Sequence, residues 1–224
     1  EGDIVPFKIN TIELASTNPA NYRGTNPIKE PLLDRMEVIE IGPPETLEEE
    51  IEIAVRNMFY RQWRGEEPPI PRWHREILAR VVRYARDQER FEVARRIESE
   101  PSCRATIKLF DHLQSQALRR GRRVPLLADY GENLEIVKLA LMGRIEVEYG
   151  MAERKEEIVE RLFDEAKRQT CRQIYANLPS EQFDDFYHAL RAVGDDVDGR
   201  RAIPINLSFP PKVRGNPVID YYVK

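Results

Sequence analysis

The strongest constraint on the fold is a train of amphipathic helical patterns between Thr46 and Asn177, punctuated by proline and glycine. Gly42-Pro43-Pro44 breaks the chain, and Thr46 is a good helix cap. Glu48, Glu49 and Glu50 then crowd a first turn, where the helix dipole favours acids. Ile51, Val55, Met58, Phe59 and Gln62 fall at helical spacing, so one helix is expected to end near Trp63, before Gly65 and the prolines at 68, 69 and 71. A second is expected over Trp73–Arg86, with Ile77, Leu78, Val81, Val82 and Ala85 inward, and a short helical piece over Phe91–Glu98. Pro101 opens a helix over Thr106–Arg119 whose stripe is Ile107, Phe110, Leu113 and Leu118 or Ala117.

Gly121–Asp129 reads as a loop and Asn133–Met142 as a helix. Residues 144–150 alternate and form a short strand or extend the preceding helix. Ala152–Asn177 is the longest helical pattern, with Ile158, Leu162, Phe163, Ala166, Thr170, Ile174 and Leu178 on one face. Opposite charges three or four apart line its other face. A further helix is expected over Glu181–Val193, then a turn at Gly194–Gly199 and an extended tail.

The amino-terminal stretch has a different grammar. Glu1–Asn10 should be extended, and apolar-leaning Thr11–Ser16 runs into Thr17-Asn18-Pro19. A polar loop follows, then a helix-like piece at Ile28–Leu33 ending in Asp34-Arg35, and the alternating run Met36–Ile41. In open α/β sheets, polar residues at a strand's carboxyl end sit where ligands bind. Asn18 can orient a water or a phosphate oxygen, and the planar guanidinium of Arg35 suits phosphate. The plainer reading is a turn whose Asn caps the next element and whose Arg is a surface charge.

Asn18-Pro19, Gly24-Thr25, Pro27, Glu30 and Leu33-Asp34-Arg35 together resemble the sensor-1 to arginine-finger segment of AAA+ ATPases of the MoxR and magnesium-chelatase I-subunit type. Ser102-Cys103-Arg104-Ala105, after two or three helices, is similar to the sensor-2 motif of that family, and places Arg104 at a helix amino terminus near backbone donors that also bind phosphate. The resemblance implies a mostly α chain with a small α/β remnant. Residues 1–42 would be the end of the AAA+ core, 43–143 the helical lid with sensor 2, and 144–224 a helical extension with an extended tail.

It also implies roles. Asn18 would be sensor 1, contacting the attacking water or the γ-phosphate. Arg35 would be the arginine finger, reaching a neighbour's ATP, with Asp34 holding its fork, and Arg104 would be sensor 2. An arginine finger is worth roughly 10³–10⁵ in rate in related NTPases. ATP and Mg²⁺ are the implied cofactors. The implied partners are copies in a ring or a missing amino-terminal half, with a client or a von Willebrand A-type protein to be remodelled or given a metal. This sequence departs from the family at one point: no G-x-x-x-x-G-K-[ST] loop and no apolar run ending in Asp-Glu occurs in it. It therefore reads as the carboxyl-terminal part of a longer protein or one piece of a split one. The rival reading is a non-catalytic helical interaction module.

Composition excludes other classes. A formal net charge of −4 argues against nucleic-acid binding by bulk electrostatics, although Arg119-Arg120-Gly121-Arg122-Arg123 is a local basic run that could touch nucleic acid. Cys103 and Cys171 have no C-x-x-C context, which argues against a zinc site or a disulfide framework. His74, His112 and His188 lack paired ligand spacing, and Asp195, Asp196 and Asp198 are followed by arginines where a calcium loop needs its Glu. With no apolar run near membrane-spanning length and no signal peptide, a soluble, cytoplasmic protein is expected.

Overall fold

The computed structural model describes residues 12, 14–17, 28–150 and 154–177. The chain divides into two units, Glu1–Ile41 and Gly42–Lys224. In the first, the described residues form one short helix, α1 (Glu30–Leu33), with Pro31 in its first turn. The chain leaves it through a tight turn, the Asp34, Arg35 and Met36 amides donating to Glu30, Leu32 and Leu33 carbonyls at 3.0, 3.2 and 3.1 Å.

The two strands expected over Thr11–Ser16 and Met36–Ile41 are not formed by the described residues, where the only sheet is elsewhere. Ile39 and Ile41 are 80% and 92% exposed. Alternation marks a run that could join a ladder, but a strand exists only with a hydrogen-bonded neighbour, and none is present among the described residues. The expected α/β remnant is therefore absent from the described residues. Asn18 and the extended reading of Glu1–Asn10 lie outside them.

The second unit is helical, and Thr46 starts it as expected. The Thr46 hydroxyl accepts from the Glu49 amide at 3.2 Å while the Glu49 carboxylate accepts from the Thr46 amide at 3.2 Å, a reciprocal box that opens α2 (Leu47–Asn57). The single helix expected to run on toward Trp63 is broken at Met58, whose backbone is extended, and restarts as α3 (Phe59–Arg64). The break is stabilised from far along the chain: Asp111 accepts from the Phe59 amide at 2.7 Å, satisfying a donor the broken helix exposes. The restart turns Phe59 outward, 64% exposed, although its spacing places it inward with Met58. Gly65, at φ +70°, closes α3 in the left-handed region that favours glycine.

The central helix is α4 (Arg72–Arg86), packed against α2, α5 and α7. Its expected stripe, Ile77, Leu78, Val81, Val82 and Ala85, is wholly buried. The piece expected as helix over Phe91–Glu98 is a 3-10 turn at Glu92–Arg96 followed by strand β1 (Ile97–Ser99). It pairs antiparallel with β2 (Glu146–Val147), Ile97 opposite Val147, which resolves the open reading of residues 144–150 toward a strand. Between them run α5 (Cys103–Arg119), a 3-10 turn at Leu127–Tyr130 and α6 (Glu135–Leu141).

The last described helix is α7 (Lys155–Asn177). Its buried face, Ile158, Val159, Leu162, Phe163 and Ala166, joins the same core as Ile51, Leu78, Leu109 and Val137. The readings over Glu181–Val193, Gly194–Gly199 and the tail lie outside the described residues. Among those described, no helix is long and apolar enough to cross a membrane.

Candidate functional site

Arg104 is the second residue of α5, exposed on its first turn. Ser102, at the cap position, is extended but makes no side-chain capping hydrogen bond, and no acid occupies the first turn. Arg104 itself makes no hydrogen bond or ion pair among the described residues. An uncompensated cation beside unsatisfied amide donors is a positive surface suited to an anion.

Directly beneath it, the first turn of α5 is fastened from inside. Ala105 and Thr106 are fully buried. The Thr106 hydroxyl donates to Glu50 of α2, itself completely buried. Arg86, at the end of α4, grips the same carboxylate with both terminal nitrogens, at 2.7 and 3.1 Å. Its remaining Nε donates to the Pro101 carbonyl at 2.6 Å. Three helices and the loop before α5 thus converge on one two-pronged ion pair, a geometry guanidinium supports and an ammonium does not.

Sequence reasoning missed Glu50 and Arg86, because Glu50 was absorbed into the acids of a helix start. A signal was available: Glu50 shares a helical face with Ile51, Ala54 and Val55, all buried, and an acid on an apolar face calls for a buried partner.

Asp34 and Arg35 belong to the first unit, exposed on the turn after α1. The expected support of Arg35 by Asp34 is not formed: no ion pair joins them, although they are adjacent. Adjacent residues on a turn direct their side chains apart, and two fully hydrated groups gain little by meeting.

The basic run resolves into structural contacts. Asp129 is buried and is held by Arg122 and, at 3.3 Å, by Arg120, while its other oxygen accepts from the Leu126 amide at 2.8 Å. Arg123 meets Glu66 at 3.1 Å. Three of these four arginines therefore meet acids, Arg120 and Arg122 folding the loop after α5 onto Asp129 and Arg123 reaching Glu66.

His74 is buried, stacked on Trp73, with its Nδ1 2.7 Å from the Tyr130 hydroxyl. Burial pushes its pKa from 6.5 down to about 3, the nearby Pro125 carbonyl offsetting this only in part. The same burial raises the Tyr130 phenol well above its usual value. His112 is lowered too, chiefly by burial. No group of metal-binding side chains occurs among the described residues, and Cys103 and Cys171 are free thiols. His188 and Asp195–Asp198 lie outside the described residues.

A cleft of about 460 Å³ opens beside α7, lined by Phe91, Val93 and Leu162 and by a balanced set of arginines and acids. None of the sequence-predicted site residues lines it. Compared with known protein families, curated proteins and solved structures, the chain matches none.

Proposed function

We propose that this chain is the carboxyl-terminal portion of a ring-forming ATPase similar to the MoxR and magnesium-chelatase I-subunit type, offering Asn18, Arg35 and Arg104 to triphosphates bound between subunits. The observation that carries the reading is Arg104, an unpaired cation on the uncapped first turn of a well-buried helix. Arg35 supports it as a second exposed arginine without an ion pair among the described residues. In this reading Arg104 neutralises γ-phosphate charge and Arg35 neutralises charge that develops in the transition state at a neighbouring copy's ATP. Mg²⁺ finds no ligand set among the described residues, so no step is assigned to it on this chain. A remodelled client, or a partner of von Willebrand A type, is the expected recipient of the work.

The test is subunit mixing with the complete ATPase. Arg35→Ala subunits and subunits with a disabled phosphate loop should each be inactive alone and regain part of the turnover when mixed, because each supplies the group its neighbour lacks. No recovery on mixing removes the role given to Arg35.

A second reading, a helical interaction module without catalysis, has its own observation. Phe59 and Trp63, one turn apart on α3, are 64% and 60% exposed, and Arg64 lies 4.2 Å from the Trp63 ring centre. Exposed aromatics beside arginine are typical anchors of binding surfaces. Partner capture that survives in an Arg35→Ala, Arg104→Ala double variant favours this reading over the first.

A further inference from the structure

The first turn of α5 poses a mechanical problem. Helix starts fray, because their leading amides have no intrahelical acceptors, and Ser102 supplies no side-chain cap. A charge that must meet a phosphate has to be held to about half an ångström. Something other than a cap must hold this turn.

We propose that Glu50 and Arg86 form a clamp that positions Arg104. The Arg86 Nε holds the Pro101 carbonyl at 2.6 Å on one side of Arg104, and Glu50 takes the Thr106 hydroxyl on the other. The two anchors are fastened to each other by the two-pronged pair at 2.7 and 3.1 Å. Both ends of the segment 101–106 are thereby tied to α2 and α4, with Arg104 standing free between the ties. A buried pair must satisfy its remaining donors and acceptors, and here those bonds go to the two flanks of one exposed arginine.

The consequence is that the angle at which Arg104 is presented depends on how α2 and α4 sit against α5. A shift of α2 or α4 would be transmitted to the arginine through rigid hydrogen bonds. The functional part of this inference rests on the phosphate-facing role of Arg104 proposed above; the mechanical part does not.

Two measurements separate them. The first uses this chain alone. Thr106→Val removes the hydroxyl at nearly constant volume and leaves the Glu50–Arg86 pair intact. Amide hydrogen exchange of residues 105–107 should quicken about tenfold or more while residues 109–113 of the same helix stay unchanged. Uniform quickening along α5, or none, overturns the clamp whatever the protein does.

The second uses the complete ATPase, with Thr106→Val and Arg86→Lys each made alone and combined with Arg104→Ala. Each is expected to lower kcat by about tenfold to a hundredfold, with KM for ATP nearly unchanged, and to have no further effect once Arg104 is Ala. Losses that add in the Arg104→Ala background overturn the positioning role while leaving Arg104 its own. An Arg104→Ala protein with full kcat overturns both the sensor reading and the functional half of this inference. If Arg86→Lys does not fold, Thr106→Val decides alone.

Discussion

Two buried polar sites lie along α4, and they are built to different standards. At its carboxyl end, Arg86 and Glu50 have their hydrogen-bonding capacity taken up by each other, Pro101 and Thr106. On the stretch that faces α7, Glu76 meets Arg72 at 3.0 Å and Arg80 at 3.5 Å, and Arg80 reaches Gln173. Yet Glu76 Oε2, Arg80 Nε and Thr170 Oγ1 are buried without a hydrogen-bond partner among the described residues. A fully satisfied buried network specifies one geometry, whereas a partly satisfied one holds its helices less firmly. The corner of α2, α4 and α5 is therefore the rigid part of the bundle. The seam between α4 and α7 depends on the apolar side chains around it.

The comparison can be broken most forcefully at Arg86. Replacing it by Met leaves Glu50 charged and alone in the core, and should cost about 3–5 kcal/mol in urea unfolding. Adding Glu50→Leu should recover most of that loss, because two apolar side chains restore packing without a buried charge. A single-variant loss below about 1 kcal/mol would show the corner to be no firmer than an exposed pair.

Next in size is an acid response from the seam's end of α4. His74 stays neutral in the folded protein down to about pH 3, while the unfolded chain takes up a proton below about 6.5. Above that pH the two states bind the proton equally and His74 contributes no pH dependence. As pH falls, the unfolded state gains the proton first, so stability declines, by about 2 kcal/mol at pH 5 relative to pH 7. The urea midpoint against pH, with His74→Gln as the non-titrating reference, reads this difference directly. Parallel profiles for the two proteins would contradict it.

A smaller effect sharpens the comparison without any mutation. Amides of α7 from 158 to 170 should exchange through an opening at least about 1 kcal/mol easier than that of α4 from 77 to 85. Equal protection would mean that the orphaned groups of the seam do not weaken it. Smallest of all, Thr170→Val should change stability by less than about 0.5 kcal/mol or raise it, since the lost hydroxyl has no partner. A loss of 1 kcal/mol or more would reveal a bond that the seam holds after all.

Much of the helical framework was legible because periodicity is local. Every residue expected on the inward face of α4 is buried, although His74, Glu76 and Ala79 join them unforeseen, and most of the α7 face agreed as well, with Thr46 correctly placed as a cap. What failed depended on distant partners. The break at Met58 needs Asp111, and β1 needs β2. Met36–Ile41 alternates well but has no strand beside it among the described residues. Of the site, Arg104 was legible as the arginine of a helix start, while the clamp beneath it was not, because Glu50 and Arg86 look like ordinary helix-end charges until three helices close around them.

The amino-acid order by itself determined where α2 starts, most of the stripes that α4 and α7 bury and which residue types could face a phosphate, since spacing and capping act within a few residues. Only the tertiary structure decided which charges are buried together and which arginines are held by Asp129. Burial makes that decision: a charge removed from water must find its partner wherever the packing places it, at whatever distance along the chain.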